Sequence, residues 1–305
     1  MEQKKVSIAL CTYNGAKYIE EQLETVINQT YKNLEIIVID DCSTDETVTI
    51  INKFAERDNR ILLHQNKQNL GVIKNFEKAI YLCTGDFIAL CDQDDVWLYD
   101  KIKFLVENID DNSLIYHNSQ LINDAGKHLF KISDIFNMYQ GDNPLAFIFF
   151  NCIPGHTSMF NRELLTYLKL YGPFDDNFYH DWWIAFIAAS YGKIKYLDKV
   201  LVNYRQHLNS LTDMSNGKEE TLRIGTPKYG EINLAWLKKC YTVSQNSQVY
   251  IGNLIEVLKH RSPNYIPRLF YLLLIKSNYT YFMKKKAGIS KVNYLRKASY
   301  FVMKH

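Results

Sequence analysis

Apolar residues in the first hundred positions switch repeatedly between two periods. Val6–Cys11 is a nearly unbroken apolar run of strand length, and Ile19, Leu23, Val26 and Ile27 then recur at helical spacing. Leu34–Ile39 is a second β-branched run, of the kind parallel sheets bury on both faces. Ser43 and Glu46 have the spacing of a capping box ahead of a helix carried by Val48, Ile51 and Ala55. Ile61–His64 reads as a third strand. Ile73, Phe76, Ala79, Ile80 and Cys83 mark another helix, and Phe87–Cys91 a further strand. Strand and helix alternating with short loops predict an α/β chain: a Rossmann-like, mainly parallel sheet with helices on both faces.

After residue 110 the pattern is mixed. Leu114–Ile122 is strand-like and Asn123–Gly126 a turn; Phe147–Phe150 is apolar, and His156–Phe160 strand-like again. Trp182–Ala189 opens a helix and Val200–Arg205 closes the region as a strand. Residues 208–230 are mostly polar, with Gly217, Gly225, Pro227 and Gly230 and no apolar period, and read as a loop or linker. The remainder is a helical C-terminal region rich in Tyr, Leu and Lys.

Composition adds a division of charge. Net charge is +3, yet residues 261–305 hold ten Lys or Arg and no Asp or Glu, which leaves the rest of the chain acidic. No apolar run approaches the ~18–20 residues of a membrane span. Met1–Lys5 leads straight into a strand, without the apolar stretch of a secretory signal, so a cytoplasmic location is expected. The six cysteines form no CxxC pair or zinc spacing and read as structural thiols.

Ligands of open parallel sheets bind at the carboxyl ends of strands. Here those ends carry Thr12-Tyr13-Asn14-Gly15, Asp40-Asp41 and Asp92-Gln93-Asp94-Asp95. Neither GxGxxG nor GxxxxGK[ST] is present, so no glycine loop cradles a phosphate. Three carboxylates within four residues would repel a diphosphate unless Mg²⁺ or Mn²⁺ lay between them.

In order along the chain, Ser7–Gly15, Ile39–Asp45, Asn69-Leu70-Gly71, Gly85–Ile88, Asp92–Trp97, His180–Trp183 and Tyr204–His207 resemble the family 2 glycosyltransferases of the GT-A fold. Cys42 stands where that family commonly has Gly. The resemblance covers roughly residues 5–210. It implies a glycosyltransferase domain over 1–210, with a nucleotide-sugar-binding half over 1–109 and an acceptor-binding half over 110–210. A flexible loop or linker over 211–230 and a helical, basic region over 231–305 complete the expected plan.

The same resemblance implies residue roles. Thr12, Tyr13, Asn14, Asp41, Asp92 and Gln93 would serve the donor, with Asp40 supporting the turn. Asp94 and His207 would hold Mn²⁺ or Mg²⁺, and Asp95 would cap the segment after it. Lys74 and Asn75 would reach the nucleotide, though Asn75 has an ordinary helical reading too. Arg205 is open between a phosphate clamp and a partner for an acidic neighbour. Asp181 would be the general base of an inverting transfer, compatible with its also capping a helix, and His180 is a rival. Trp182 and Trp183 would wall the acceptor site.

The expected partners are a nucleotide-sugar donor (dTDP-rhamnose or a UDP-hexose) and a glycan acceptor on a lipid carrier, as in bacterial surface polysaccharide synthesis. Leu269–Ile275 with Lys284-Lys285-Lys286 suits a helix lying on an anionic membrane; a solvated face or a homodimer interface is the plainer reading. The acidic body argues against nucleic acid. Two other functions compete: a degenerate nucleotide-sugar-binding or scaffold protein, and a metal-dependent phosphotransferase. The latter would need its nucleophilic aspartate after the first strand, where Cys11-Thr12 stands.

Overall fold

The computed structural model describes residues 3–148, 151–176, 178–207, 234–243 and 247–260. The linker expected over 211–230 and the basic tail from residue 261 lie outside the described residues. The first half comprises β1 (Val6–Thr12), α1 (Ile19–Ile27), β2 (Leu34–Asp40), α2 (Thr47–Ala55), β3 (Ile61–Gln65), α3 (Val72–Leu82), β4 (Phe87–Cys91), β5 (Val96–Trp97) and α4 (Lys101–Asn108). Then come β6 (Leu114–Asn123), β7 (His128–Lys131), α5 (Ile132–Ile135), β8 (Ser158–Asn161), α6 (Leu164–Leu170), α7 (His180–Tyr191), β9 (Ile194–Gln206), α8 (Leu234–Val243) and α9 (Gln248–His260).

β1 pairs in parallel with both β2 and β4, and β2 with β3. The sheet runs in the order β3-β2-β1-β4-β8-β6-β9-β5, with β7 paired to β6. β8 joins β4 and β6 antiparallel, and β6 and β9 pair in parallel, so the second half continues the first half's sheet. This is the mixed α/β arrangement that the resemblance to the GT-A fold implies.

Both faces of the central strands are buried, and the side-chain period of two divides them. Ile8, Leu10, Ile36 and Val38 share a core with Ile19 and Leu23 of α1, Phe54 of α2 and Leu105 of α4. Ala9, Cys11, Ile37 and Ile39 share the opposite core with Phe76 of α3 and Trp183 and Phe186 of α7. Trp236 and Leu237 of α8 and Leu254 of α9 belong to that second core too. Each fully buried Leu, Ile or Phe stabilises by about 1.5–3 kcal/mol.

Glu35 interrupts β2 but is compensated. Its carboxylate accepts from Ser7 Oγ, Thr84 N, Thr84 Oγ1 and Lys5 Nζ. Burial alone would raise its pKa; the bonds from Lys5, Ser7 and Thr84 outweigh that and lower it to about 2.

One local expectation is corrected. α2 begins at Thr47, and Glu46 makes no side-chain cap. Asp45 accepts from Thr47 N instead, at 3.0 Å, while Ser43 turns back to Asp40. β5, which pairs antiparallel with β9, went unforeseen because two residues carry no period.

Candidate active site

The carboxyl ends of β1 and β2 form a hydrogen-bonded rim. Thr12 Oγ1 donates to Asp40 Oδ1 at 2.9 Å, and Asp40 also accepts from Ser43 N, so Asp40 braces the turn. Cys42 sits there at φ +68°, a left-handed conformation that suits glycine. Asn14, at φ +45°, accepts from Thr44 N at 2.8 Å and bridges the two loops.

Asp41 is buried, and its oxygens accept from Asn66 Nδ2, Leu70 N and Gly71 N at 2.7–2.8 Å. Asn66 Nδ2 also donates to Asn75 Oδ1, and Asn75 Nδ2 donates to Ile39 O. Asn75 therefore takes the ordinary structural reading, as a buttress beneath Asp41. Lys74 Nζ donates to Phe174 O and Glu77. Its ammonium is spent on the loop before α7, not held out to a nucleotide.

The loop after β4 carries the acidic cluster. Gln93 clamps it to the first loop: Tyr13 N donates to Gln93 Oε1 at 2.9 Å, and Gln93 Nε2 donates to Tyr13 O at 3.1 Å. A Cβ on Gly15 would stand 2.2 Å from Gln93 Oε1, so the clamp needs glycine there. The Tyr13 ring is left exposed beside it.

Asp94 Oδ2 lies 2.8 Å from His207 Nε2, at the end of β9. Arg205 fixes this junction. Its backbone N donates to Asp95 Oδ1, Nε to Asp94 O, Nη1 to Asp124 O and Nη2 to Glu21 Oε2. With its guanidinium buried and committed, Arg205 takes the acidic-partner reading rather than the phosphate clamp.

Asp95 is a correction as well. It caps no helix but lies buried, with Oδ2 lacking a hydrogen-bond partner and facing His156 Nδ1 at 4.0 Å. Asp92 Oδ2 faces the same nitrogen at 3.8 Å. His156 Nε2 is 3.2 Å from Ser119 Oγ, and the ring stacks on Tyr204. Burial holds His156 neutral, its pKa well below the usual imidazole range, and Lys101 adds to this. Lys101 is itself buried: Nζ donates to His156 O at 2.6 Å and lies over the Trp97 ring. Burial pulls Lys101 down to about 7, against the neighbouring Cys91, Asp95 and Asp92. Burial pushes Asp92 up to about 7, with the charges of Asp94 and Asp181 adding to the shift.

Asp181 lies in the first turn of α7, after the cap residue Tyr179, so it is not the N-cap. Gly155 N donates to its Oδ2 at 3.1 Å. Burial pushes it up to about 6, opposed by hydrogen bonds from the Trp182 and Gly155 backbones and the Asn151 side chain. His180, its rival, is stacked on Phe76 and driven by burial to about 3. A group that binds a proton so weakly is a poor base at neutral pH.

Trp182 and Trp183 are 5% and 0% exposed. Trp182 Nε1 donates to Phe147 O, and Trp183 packs against Phe186, Phe178 and Trp236. Both indoles are packed into the core. All of Trp182–Ala189 are buried, and Trp236 of α8 packs on Trp182, Trp183 and Phe186.

The family profile described as Glycosyl transferase family 2 matches residues 7–168. The chain belongs to that family. Among curated relatives, the dTDP-rhamnosyl transferase RfbG of Shigella flexneri is 29% identical over 275 residues, covering 82% of this chain and 92% of the relative. Among solved structures, S. aureus TarS 1-349 in complex with UDP superposes with a TM-score of 0.58 at 18% identity, over 82% of this chain and 69% of the other. The mannosyltransferase PcManGT from Pyrobaculum calidifontis, in complex with GDP-Man and Mn²⁺, gives 0.56 at 15% identity, over 99% and 86%.

Two groups of this family 2 glycosyltransferase have the chemistry to hold a divalent ion. Cis ligands at 2.0–2.1 Å on an octahedral ion stand about 3 Å apart, and Asp94 Oδ2 and His207 Nε2 match that spacing. Asp92, Asp95 and His156 offer ligand atoms within 4.8 Å of one another, one of them the unpartnered Asp95 oxygen. His156 and Lys101 were absent from the sequence-based site: a histidine inside a Pro-Gly-His run and a lysine opening a helix carry no spacing signal.

Proposed function

We propose that this glycosyltransferase is an inverting enzyme that moves a sugar from a nucleotide-sugar donor to a hydroxyl of a glycan acceptor. The observation that carries the reading is the convergence of Asp92, Asp94, His207 and Asp181 on one rim, with Asp181 raised to about 6. A carboxylate with that pKa is ionised at neutral pH and still basic enough to take the acceptor's proton. As it does so, the acceptor oxygen bonds to the anomeric carbon from the face opposite the nucleotide. The bond from that carbon to the nucleoside diphosphate breaks, and its electrons leave with the diphosphate.

Asp94 and His207 would hold Mn²⁺ or Mg²⁺, which when bound neutralises the diphosphate. Support comes from their spacing and from the Mn²⁺ named with PcManGT. Thr12, Tyr13 and Asp41 would serve the donor's base and ribose; the exposed Tyr13 ring, which offers a stacking face, supports this for Tyr13. The donor is dTDP-rhamnose or a UDP-hexose; the name of RfbG and the UDP bound by TarS support these two classes. The product belongs to bacterial polysaccharide synthesis, on a lipid-linked acceptor at the cytoplasmic membrane face. No helix among the described residues is long and apolar enough to cross a membrane.

Asp181→Asn is the decisive test. Donor binding, followed by thermal shift with dTDP-rhamnose and UDP-hexoses plus Mn²⁺, should persist while transfer falls at least a hundredfold. Transfer at the wild-type rate would remove Asp181 from the base role. A wild-type protein stabilised by no nucleotide sugar would favour a degenerate site.

A further inference from the structure

We propose that Tyr18 is a positioning residue that holds the His207 imidazole against Asp94. The proposal rests on the reading that Asp94 and His207 hold the metal.

Tyr18 is the cap residue of α1, so its backbone is fixed by the loop after β1, with its N donating to Gly15 O at 2.9 Å. Its ring stacks on His207 with centroids 4.6 Å apart and planes 25° apart. The Arg205 guanidinium lies 5.4 Å from the same ring centroid. At its far end the hydroxyl donates to Asp124 Oδ1 at 2.7 Å, in the turn between β6 and β7. Lys17 Nζ also binds that carboxylate, at 2.7 and 2.9 Å, and Arg205 Nη1 donates to the Asp124 carbonyl.

The ring is thus anchored at both ends, and the face turned to His207 sets the plane of the imidazole. His207 lies one position beyond the end of β9. Partners that orient a metal-binding histidine typically change metal affinity 10–100-fold when removed.

The test is a double-mutant cycle on Mn²⁺ affinity, measured calorimetrically on the full chain without donor. Tyr18→Leu should weaken Mn²⁺ about tenfold, and His207→Ala by at least as much. In the Tyr18→Leu, His207→Ala double variant the Tyr18 effect should vanish, since the residue has nothing left to orient. Tyr18→Phe keeps the stack and loses only the bond to Asp124, so it should stay within about threefold of wild type; Tyr18→Met takes the leucine's place if that variant does not fold. A Tyr18→Leu effect undiminished without His207, no effect at all, or a Phe variant as weak as Leu would overturn the proposal. Unchanged Mn²⁺ affinity in His207→Ala alone would overturn the metal reading itself and the proposal with it.

Discussion

His207 Nε2 stands 2.8 Å from Asp94 Oδ2, which brings the end of β9 onto the loop after β4. That contact joins the two halves of the sheet at the carboxyl rim. Removing either group should cost the site its divalent ion. Asp94→Asn is expected to weaken Mn²⁺ binding at least tenfold and to abolish the metal-dependent part of donor stabilisation. Thermal shift with and without EDTA reads this directly.

Asp181 predicts a pH profile. With a pKa of about 6, the rate should fall about tenfold per pH unit below 6 and level off above 7. The stability effect runs the other way. A carboxyl whose folded pKa is raised from 3.8 to about 6 makes the folded state lose stability as pH rises through that window. Asp181→Asn should therefore be more stable than wild type at pH 7.5, by up to about 3 kcal/mol, and equal to it below about pH 4. Melting temperatures at the two pH values check both arms.

Glu35 gives the opposite sign. Its folded pKa of about 2 lies below the ordinary 4.5, so its contribution is present above 4.5 and is lost as pH falls toward 2. Glu35→Gln should destabilise by up to about 3 kcal/mol at pH 7 and by little at pH 2.5. Urea unfolding at both pH values would show it.

Trp183→Ala separates core from acceptor site. The buried indole should cost about 3–5 kcal/mol of stability. In whatever folded fraction remains at low temperature, the acceptor KM should be within about twofold of wild type. A raised acceptor KM in a fully stable protein would return Trp183 to the acceptor wall.

Cys42 predicts a gain. A side chain at φ +68° costs about 1–2 kcal/mol, and glycine gives back about 0.5–1 in chain entropy. Cys42→Gly should raise the melting temperature by about 2 °C without altering donor affinity.

The first half was legible because its signals are local. Val6–Cys11, Leu34–Ile39 and Phe87–Cys91 have the apolar runs of buried parallel strands and became β1, β2 and β4. Residues at their carboxyl ends could then be placed on the rim by counting. Their hydrogen bonds could not. Arg205, Lys74 and Asn75 have donors suited to a nucleotide, and only folded contacts show those donors committed to Glu21, Phe174 and Ile39. The packing of Trp182 and Trp183 was hidden for a similar reason: their covering helix α8 starts at Leu234, beyond any window a local pattern can read. His156 reaches the acidic cluster through the antiparallel pairing of β8 with β4 and β6, a non-local event.

Arg205 also bears on how this enzyme could be rebuilt. Its four bonds end on α1, on both Asp94 and Asp95 of the acidic loop, and on the turn between β6 and β7. A loop spanning Asp92–Trp97 taken from another family member would arrive without the surroundings that shape its backbone. Donor-swapping chimeras built on this scaffold must therefore exchange Glu21, the acidic loop, Asp124 and Arg205 as one unit, although nearly two hundred positions separate the first from the last.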